Sequence, residues 1–315
     1  MRAVAVPTAG ERPAVIDLAA PGLRAGDVLV QVRAAGLNPM DNALASGALS
    51  GAMEHRYPLV LGRDLAGVVE AVGAEVTRFA PGDEVIGHIG FEAPFQIGAL
   101  TDLVALPEAA LARKPGGLDD VRAAALPLAG GAAIAVVEAT GAAPGDVVLV
   151  NGASGAVGRF AVQLLAGQGA VVVATASEGN ADRLRELGAA EIVSYASGDI
   201  SGRVRALHPE GVDALVNLWG STVEDVPLDA VKPGGVVATI TPVPGAETAA
   251  ARGLRGGGII IASPTADVLA GLAEKVAVGS LEVDVSRVVA LADATAGLDD
   301  IAAGRAGGKI VVDLA

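Results

Sequence analysis

The first third of the chain alternates apolar and polar positions over short stretches. The segments DVLVQVRAAGL, LAGVVEAVG and DEVIGHIG each show this period of two and are bounded by Gly, Pro or Asp. Alternation of this kind is typical of strands with one buried face, and the bounding residues are typical of turns. The pattern therefore predicts a compact, irregular β domain over residues 1–122.

From about residue 123, continuous apolar runs begin to alternate with segments of helical spacing. The runs include VVLVNG, AVVVATAS, VDALVNLW and GGVVATI, and the helical segments include VGRFAVQLLAGQG and GNADRLRELG. Strands buried on both faces and separated by helices are typical of a parallel sheet. We therefore predict the α/β fold class, with a doubly wound parallel sheet over residues 123–266. By pattern alone, residues 267–315 could extend this sheet or return to the first domain.

The segment VVLVNGASGAVG, residues 147–158, joins a predicted strand to a predicted helix through three glycines. Gly152 lets the chain turn, Gly155 lets the backbone approach a phosphate, and Gly158 lets the helix pack close to the strand. Backbone N–H groups at such a corner attract anions. The spacing departs from G-x-G-x-x-G because Ala153 stands at the place of the first glycine. We predict dinucleotide binding here, with a tight structural turn as the alternative.

The end of the next strand indicates which dinucleotide is bound. An acidic residue there would bond the 2′-hydroxyl of NAD, whereas AVVVATAS ends in Ser177, which can donate to a 2′-phosphate. Arg183 follows on the next helix, although a solvated helix charge is an equal alternative for it. Glu178 competes with this interpretation, because it could act as the acid. On balance the sequence favours NADPH.

Composition narrows the classes of function. The net charge of −14 disfavours nucleic acid and anionic membrane as partners, because phosphate groups bind concentrated basic surfaces. The absence of cysteine excludes disulfides and thiolate chemistry. The uncharged apolar run over residues 123–137 is shorter than the roughly 20 residues of a spanning helix, and no signal-peptide pattern opens the chain. We therefore expect a cytoplasmic protein.

Several segments together carry a resemblance that runs nearly end to end. AAGLNPMDNALASG holds an Asn-Pro-x-Asp motif, PLVLGRDLAGVVEAVGAEVTRFAPGDEV holds Gly-x-Asp-x-x-Gly-x-Val, and AAALPLAGGAA, GASGAVGRFAVQLL and GGKIVVDL follow in order. The chain resembles the zinc-independent quinone oxidoreductase branch of the medium-chain dehydrogenase/reductase superfamily, the zeta-crystallin-like enzymes. The resemblance implies a GroES-like β domain over residues 1–122, completed by 267–315, and a Rossmann NADP-binding domain over 123–266. It also implies an active site in the cleft between them.

The resemblance implies which residues contact the cofactor. Those expected at the pyrophosphate are Ser154, Gly155, Ala156 and Val157, and those at the adenosine half are Ser177 and Tyr195. Those expected near the nicotinamide or lining the cofactor are Asn38, Asp41, Thr241, Pro242, Val243, Ile261 and Ser263. Two departures stand out: Ala132 replaces a common threonine, and Leu49 stands where enoyl reductase relatives carry a tyrosine proton donor.

Zinc-dependent relatives of this family hold their metal with cysteine, histidine and glutamate in the first domain. At the matching places this chain has Gly36-Leu37-Asn38 and Gly62-Arg63-Asp64, and it has no cysteine. Tetrahedral zinc needs three or four converging ligands, which His55 alone cannot provide. We therefore expect no metal ion.

Aromatic residues make up only 2% of the chain, so each is a candidate for the substrate pocket. Trp219 ends a predicted strand, on the edge where open α/β sheets bind ligands. The substrate-cleft candidates are Asn38, Asp41, Tyr57, Phe91, Phe95 and Trp219. Ordinary core or loop packing is the alternative for the aromatic rings, and His55 and Arg63 are expected at the surface.

Three functions follow from the resemblance and its departures. The first is hydride transfer from NADPH to a quinone or similar conjugated carbonyl, with no assigned proton donor. The second is NADPH-dependent reduction of an enone or enoyl C=C bond, as in natural-product tailoring. The third is a non-catalytic NADP-binding protein, which Ala132 and the missing tyrosine leave open. The resemblance also implies a homodimer formed through the strand GGGIIIAS.

Overall fold

The computed structural model describes residues 1–315, apart from the side chain of Ser197. The chain forms two compact units, each with its own sheets. The first unit is Met1–Gly131 with Ser263–Ala315, and the second is Ala132–Ala262.

The first unit is built mainly from antiparallel strands. Its strands are β1 (Arg2–Val6), β2 (Ala14–Asp17), β3 (Asp27–Gly36), β4 (Leu59–Val60), β5 (Asp64–Val72), β6 (Glu84–His88), β7 (Leu103–Pro107) and β8 (Leu111–Arg113), and, from the C-terminal segment, β15 (Val285–Ala290) and β16 (Lys309–Asp313). Its helices are α1 (Pro39–Ala45), α2 (Asp120–Ala124), α8 (Ala266–Ala277) and α9 (Ala294–Ala302), and α3 (Pro127–Thr140) starts in it.

The larger sheet of the first unit has the order β15-β16-β3-β5-β6-β8, with β7 also paired to β3. Strand β3 alternates buried and more exposed positions along most of its length, as its sequence pattern predicts. Strand β16 pairs antiparallel with the end of β3, where Val311 lies opposite Gly36. This pairing places Lys309, the first residue of β16, beside the loop that follows β3.

The second unit is a parallel sheet with helices. Its strands are β9 (Val147–Asn151), β10 (Val171–Ala176), β11 (Glu191–Ser194), β12 (Val212–Asn217), β13 (Val231–Thr239) and β14 (Arg255–Ile259). Its helices are α4 (Ala156–Gly167), α5 (Glu178–Glu186), α6 (Ile200–Leu207) and α7 (Ala246–Ala251).

The strand order of this sheet is β11-β10-β9-β12-β13-β14, and every neighbouring pair is parallel. This is the doubly wound order in which the chain starts at the centre and winds outward in both directions. The predicted fold is confirmed. Strands β9, β10 and β12 end side by side, so the loops after them share the carboxyl edge of the sheet.

Among the described residues, no helix is both long and apolar enough to cross a lipid bilayer.

Candidate functional site

The glycine corner after β9 is shaped by backbone contacts. Gly152 has φ +83°, a left-handed conformation that side chains other than glycine rarely adopt. A Cβ on Gly158 would lie 2.4 Å from the carbonyl oxygen of Gly152 and 2.6 Å from the Cα of Ala153. The turn expected at Gly152 and the close helix packing expected at Gly158 are therefore both present in the backbone geometry. Gly155 has more room, since the nearest atom to its Cβ position is 3.4 Å away.

The same corner carries polar groups that suit an anion. Helix α4 begins at Ala156 without a side-chain cap, so the N–H groups of its first turn are not bound by a capping side chain. Ser154 Oγ is buried and has no hydrogen-bond partner among the described residues. A buried hydroxyl in this condition, next to a helix N-terminus, is typical of a site completed by a bound group. The residues present therefore fit the pyrophosphate of a dinucleotide.

A chain of hydrogen bonds that the sequence pattern did not predict links this corner to the end of β10. Arg159 Nε donates to the carbonyl oxygen of Ser154 at 3.0 Å, and its Nη2 donates to Asn180 Oδ1 at 3.0 Å. Asn180 Nδ2 in turn donates to Ser177 Oγ at 3.0 Å. The sequence feature that could have indicated this chain is a single arginine directly after Gly158 in an otherwise apolar helical segment.

The predicted adenosine residues Ser177 and Tyr195 follow two neighbouring strands, β10 and β11. Ser177 is the residue before the helix, and Glu178 is exposed at its first position. Arg183 lies farther along α5 and pairs with Glu186 at 3.1 Å. Tyr195 follows β11 and is half exposed. Hydrogen bonds through Asn180 and Arg159 thus link Ser177 to the glycine corner. Arg183 is instead paired with Glu186 on its own helix.

A second network, also missed from the sequence, runs along the carboxyl edge of the sheet. Asn151 and Asn217 end the paired strands β9 and β12, and the Nδ2 of Asn151 donates to the Oδ1 of Asn217 at 2.9 Å. Asn217 Nδ2 also donates to Thr241 Oγ1 at 3.0 Å, and Thr241 Oγ1 donates to the carbonyl of Val243 at 2.8 Å. The hydroxyl of Thr241 is therefore engaged within the protein. The sequence feature that could have indicated this network is that the two strands both end in Val-Asn.

The other residues predicted on this edge differ in exposure. Trp219 is 59% exposed, and its carbonyl accepts a hydrogen bond from Asn151. Ile261 is 63% exposed, and Pro242 is also exposed. Ser263 belongs to the first unit, where its Oγ lies 3.4 Å from the position of a Cβ on Gly90.

The first unit contains a cluster of buried charged side chains. Lys309 Nζ donates to Asn38 Oδ1 at 2.5 Å and to Asp64 Oδ2 at 2.9 Å. Asp64 Oδ1 accepts the backbone N–H of Leu128 at 2.9 Å and lies 3.1 Å from His88 Nδ1. Lysine and aspartate are rarely buried unless they are paired in this way.

The second buried carboxylate, Asp41, is held by backbone donors. Its two oxygens accept the N–H groups of Asn38 at 2.8 Å and of Gly62 at 2.9 Å. Burial raises the pKa of Asp41 to about 6, although Arg63 and these two donors oppose the change. Burial also acts against the ionisation of Asp64, but the Lys309 ammonium and His88 outweigh it and lower the pKa of Asp64 to about 2. Asp64 is therefore a carboxylate at neutral pH.

The surface position expected for Arg63 is wrong. Its residue is 1% exposed, and its guanidinium donates to the carbonyls of Gly90 at 3.3 Å and Ile97 at 2.8 Å. The guanidinium also lies over the ring of Phe95, 5.4 Å from its centroid. A planar cation can be buried here because backbone carbonyls and an aromatic face take the place of water.

The aromatic candidates of the first unit lie near this cluster. Phe95 is 1% exposed and belongs to the hydrophobic core. Phe91 packs edge-on against His88 with the ring centroids 5.6 Å apart, and Tyr57 lies edge-on to His55 at 6.4 Å. His55 is only partly buried, yet both of its ring nitrogens are buried and lack partners among the described residues.

Within the part of the chain that the structure describes, no group of three or more His, Cys, Asp or Glu side chains is arranged to hold a metal ion.

Comparison with known proteins gives matches to both units. Residues 24–116 match the alcohol dehydrogenase GroES-like domain, and residues 187–312 match the zinc-binding dehydrogenase family. The chain is 31% identical to the quinone oxidoreductase of Pseudomonas aeruginosa over 313 residues, which cover 93% of this chain and 92% of that protein. The structure of the quinone oxidoreductase from Coxiella burnetii superposes with a TM-score of 0.87 and 27% identity, over 100% of this chain and 98% of that chain.

Two longer relatives match over part of their length. Mitochondrial NAD(P)H oxidoreductase RTN4IP1 of Danio rerio is 35% identical over 225 residues, which cover 66% of this chain and 57% of that protein. The 2-methylene-furan-3-one reductase of Solanum lycopersicum is 34% identical over 230 residues, which cover 71% of this chain and 57% of that protein. The chain therefore spans little more than half the length of these two relatives.

Proposed function

The chain belongs to the quinone oxidoreductase branch of the medium-chain dehydrogenase/reductase superfamily, and from that premise we propose that it is an NADPH-dependent reductase of quinones or similar conjugated carbonyls. The observation that carries the proposal is the corner at Gly152–Gly158, with its uncapped helix N-terminus and the unpartnered hydroxyl of Ser154. When bound there, a nicotinamide cofactor supplies hydride, and the protein supplies binding and orientation.

The surroundings of Ser177 support NADPH over NADH. Arg159 and Asn180 connect Ser177 to the glycine corner and add a cation and an amide beside it. Glu178, the residue that could have favoured NAD, is exposed in the first turn of α5. An acidic side chain at that position stabilises the helix through the helix dipole, which accounts for Glu178 without a cofactor role.

We further propose that the reaction proceeds without zinc. Asn38 and Asp64 lie in the two segments that match the ligand-bearing segments of zinc-dependent relatives. Their oxygens are both bonded to the ammonium of Lys309. A zinc ion needs nitrogen, sulfur or carboxylate ligands that are free to converge on it. An ammonium group already bound to these oxygens does not fit such a site.

Enone or enoyl reduction is the second candidate. The relative from Solanum lycopersicum, named 2-methylene-furan-3-one reductase, is as similar to this chain as several of the others. Quinones and enones are both flat conjugated carbonyls that accept hydride, so one pocket can serve either class.

A panel of acceptors separates these proposals. NADPH oxidation is followed at the nicotinamide absorbance with benzoquinones, naphthoquinones and small enones under identical conditions. We expect the highest kcat/KM with a quinone. Turnover of enones alone would assign the enzyme to C=C reduction. Saturable NADPH binding with no turnover of either class would contradict the proposed reaction and favour a non-catalytic NADP-binding protein.

We also propose that the protein is a homodimer that pairs through β14. This strand ends the six-stranded sheet, and it bonds only to β13 in the strand order. Ile259 is 52% exposed and Ile261 is 63% exposed along or just beyond it. An unpaired, apolar sheet edge is a ready surface for a second copy.

Lysine at both positions should convert the dimer to a monomer, because two charges would have to be desolvated at the interface. Sedimentation of the wild type should give twice the chain mass of 30.8 kDa, and Ile259→Lys/Ile261→Lys should give the single-chain mass. The control is Val278→Lys, which changes an exposed valine elsewhere (67% exposed) and should leave the mass unchanged. A wild type that sediments as one chain would rule out the dimer.

A further inference from the structure

Lys309 is an unusual lysine because its charge is enclosed by the protein. Its side chain is 4% exposed, and it enters the first unit as the opening residue of β16. Its ammonium bonds to one oxygen of an amide and one oxygen of a carboxylate, on Asn38 and Asp64. These three residues come from opposite ends of the chain, so only the folded sheet brings them together.

The ammonium fixes the orientation of the Asn38 amide. Asn38 Nδ2 donates to Asp64 Oδ2 at 2.9 Å and faces the carbonyl of Gly36 at 3.3 Å, both of which are acceptors only. Asn38 Oδ1 faces the Lys309 ammonium, which is a donor only. Reversing the amide would place donor against donor and acceptor against acceptor, so a single orientation is compatible with the network.

The same charge sets the state of His88. Asp64 Oδ2 accepts from Lys309, and its Oδ1 accepts from the backbone N–H of Leu128 and faces the Nδ1 of His88. Because this carboxylate is ionised and accepts only, Nδ1 carries a hydrogen. Nε2 is then the remaining polar atom of the ring, and it is buried without a partner among the described residues.

We infer that Lys309 is a positioning residue that replaces a metal ion with a built-in cation. Its ammonium holds the Asn38 amide and the Asp64 carboxylate, and through Asp64 it sets the Nδ1–H tautomer of His88. The functional part of this inference rests on the proposed zinc-free reaction, because Asn38 lies in the segment expected near the nicotinamide. Its structural part stands on the network alone.

The test is Lys309→Met, which keeps the length of the side chain and removes its charge. Without the ammonium, the Asp64 carboxylate loses its buried cation, and this is the carboxylate that faces Nδ1 of His88. The chain has three histidines, so ¹⁵N-histidine NMR can resolve each ring. The wild type should show a hydrogen on Nδ1 of His88 that is bonded to the Asp64 carboxylate. Lys309→Met should shift the Nδ1 resonance of His88, because the carboxylate that Nδ1 faces has lost its ammonium partner.

Steady-state kinetics provides the functional readout. We expect Lys309→Met to lower kcat by about tenfold to 100-fold, the range seen when the support of a metal ligand is removed. NADPH affinity should stay within about threefold, because the glycine corner that binds the pyrophosphate belongs to the second unit. The matched control is Lys232→Met, which removes a lysine paired with Asp213 but half exposed. It should leave kcat and the spectrum of His88 unchanged.

The double variant Lys309→Met/Asp64→Asn covers the case in which the single variant does not fold. It removes both charges together and leaves neither one uncompensated. Its unfolding midpoint should therefore be higher than that of Lys309→Met and nearer to the wild-type value. An unchanged His88 spectrum in Lys309→Met, or a double variant less stable than the single one, would overturn the inference. If the wild type reduces no acceptor, the proposed function fails, and the histidine spectra still decide the structural part of the inference.

Discussion

Gly158→Ala raises the dissociation constant of NADPH by about 100-fold or more. The added Cβ would lie 2.4 Å from the carbonyl oxygen of Gly152 and 2.6 Å from the Cα of Ala153. Both are backbone atoms of the glycine corner, so the corner must move away from α4 to admit a methyl group. A shift of this kind displaces the N–H groups that meet the pyrophosphate, and about 2.7 kcal/mol of lost binding corresponds to 100-fold. Isothermal titration with NADPH measures the change.

Gly167→Ala provides a matched control on the same helix. A Cβ on Gly167 meets no atom within 4 Å. Replacing a glycine within a helix by alanine stabilises the folded protein by about 0.5–1 kcal/mol. Its NADPH affinity should equal that of the wild type, and its melting temperature should be the same or higher. Equal NADPH affinity in Gly158→Ala and Gly167→Ala would show that the corner does not bind the cofactor.

Arg63→Ala lowers the free energy of unfolding by about 3–5 kcal/mol. Truncation removes the positive charge that favours ionised Asp41, deprives two backbone carbonyls of their donor and opens a cavity beside Phe95. Removal of one partner from a buried charged group has a cost in this range. Urea denaturation followed by circular dichroism measures the loss through the shift in midpoint.

The control for Arg63 is Arg56→Ala, a neighbour with the same chemistry in an exposed setting. Arg56 pairs with Glu54 at 2.8 Å, and both side chains are 58% exposed. Exposed pairs of this kind contribute about 0–1 kcal/mol. If the two variants lose the same stability, the burial of Arg63 has no energetic consequence, and the description of the charge cluster is wrong.

The sheet of the second unit could be predicted because its information is local. Each strand is a short apolar run, each helix has its own spacing, and the alternation of the two specifies a doubly wound order. The glycine corner was predictable for the same reason: Gly152 is required by its own left-handed φ, and Gly158 by its contacts with Gly152 and Ala153. Local pattern and global fold agree here, which is why the predicted doubly wound fold was confirmed.

The buried charge cluster could not be predicted, because its partners are far apart in sequence. Lys309 and Asp64 are separated by 245 residues, and no spacing rule connects them. Arg63 has the composition of a surface residue, and only the tertiary fold brings carbonyls and an aromatic ring around it. A propensity for the surface is overridden when the fold supplies partners in place of water, as the carbonyls of Gly90 and Ile97 do for the two terminal nitrogens of Arg63.

The predicted site residues Asn38 and Asp41 illustrate a further limit. The motif that holds them was recognised, but the sequence does not show which way their side chains are bonded. In the structure both groups bond mainly to the protein: Asp41 to two backbone amides, and Asn38 to Lys309 and Asp64. Their expected place near the nicotinamide remains a prediction, and a supporting role there agrees with these bonds.

The central claim, that the corner at Gly152–Gly158 binds NADPH, is tested most directly by titrating the wild type with NADPH and with NADH. We predict saturable binding of one NADPH per chain, with an affinity about tenfold to 100-fold higher than that of NADH, the value of a charge-assisted hydrogen bond to the 2′-phosphate. Tighter binding of NADH, or no saturable binding of either dinucleotide, would contradict the account.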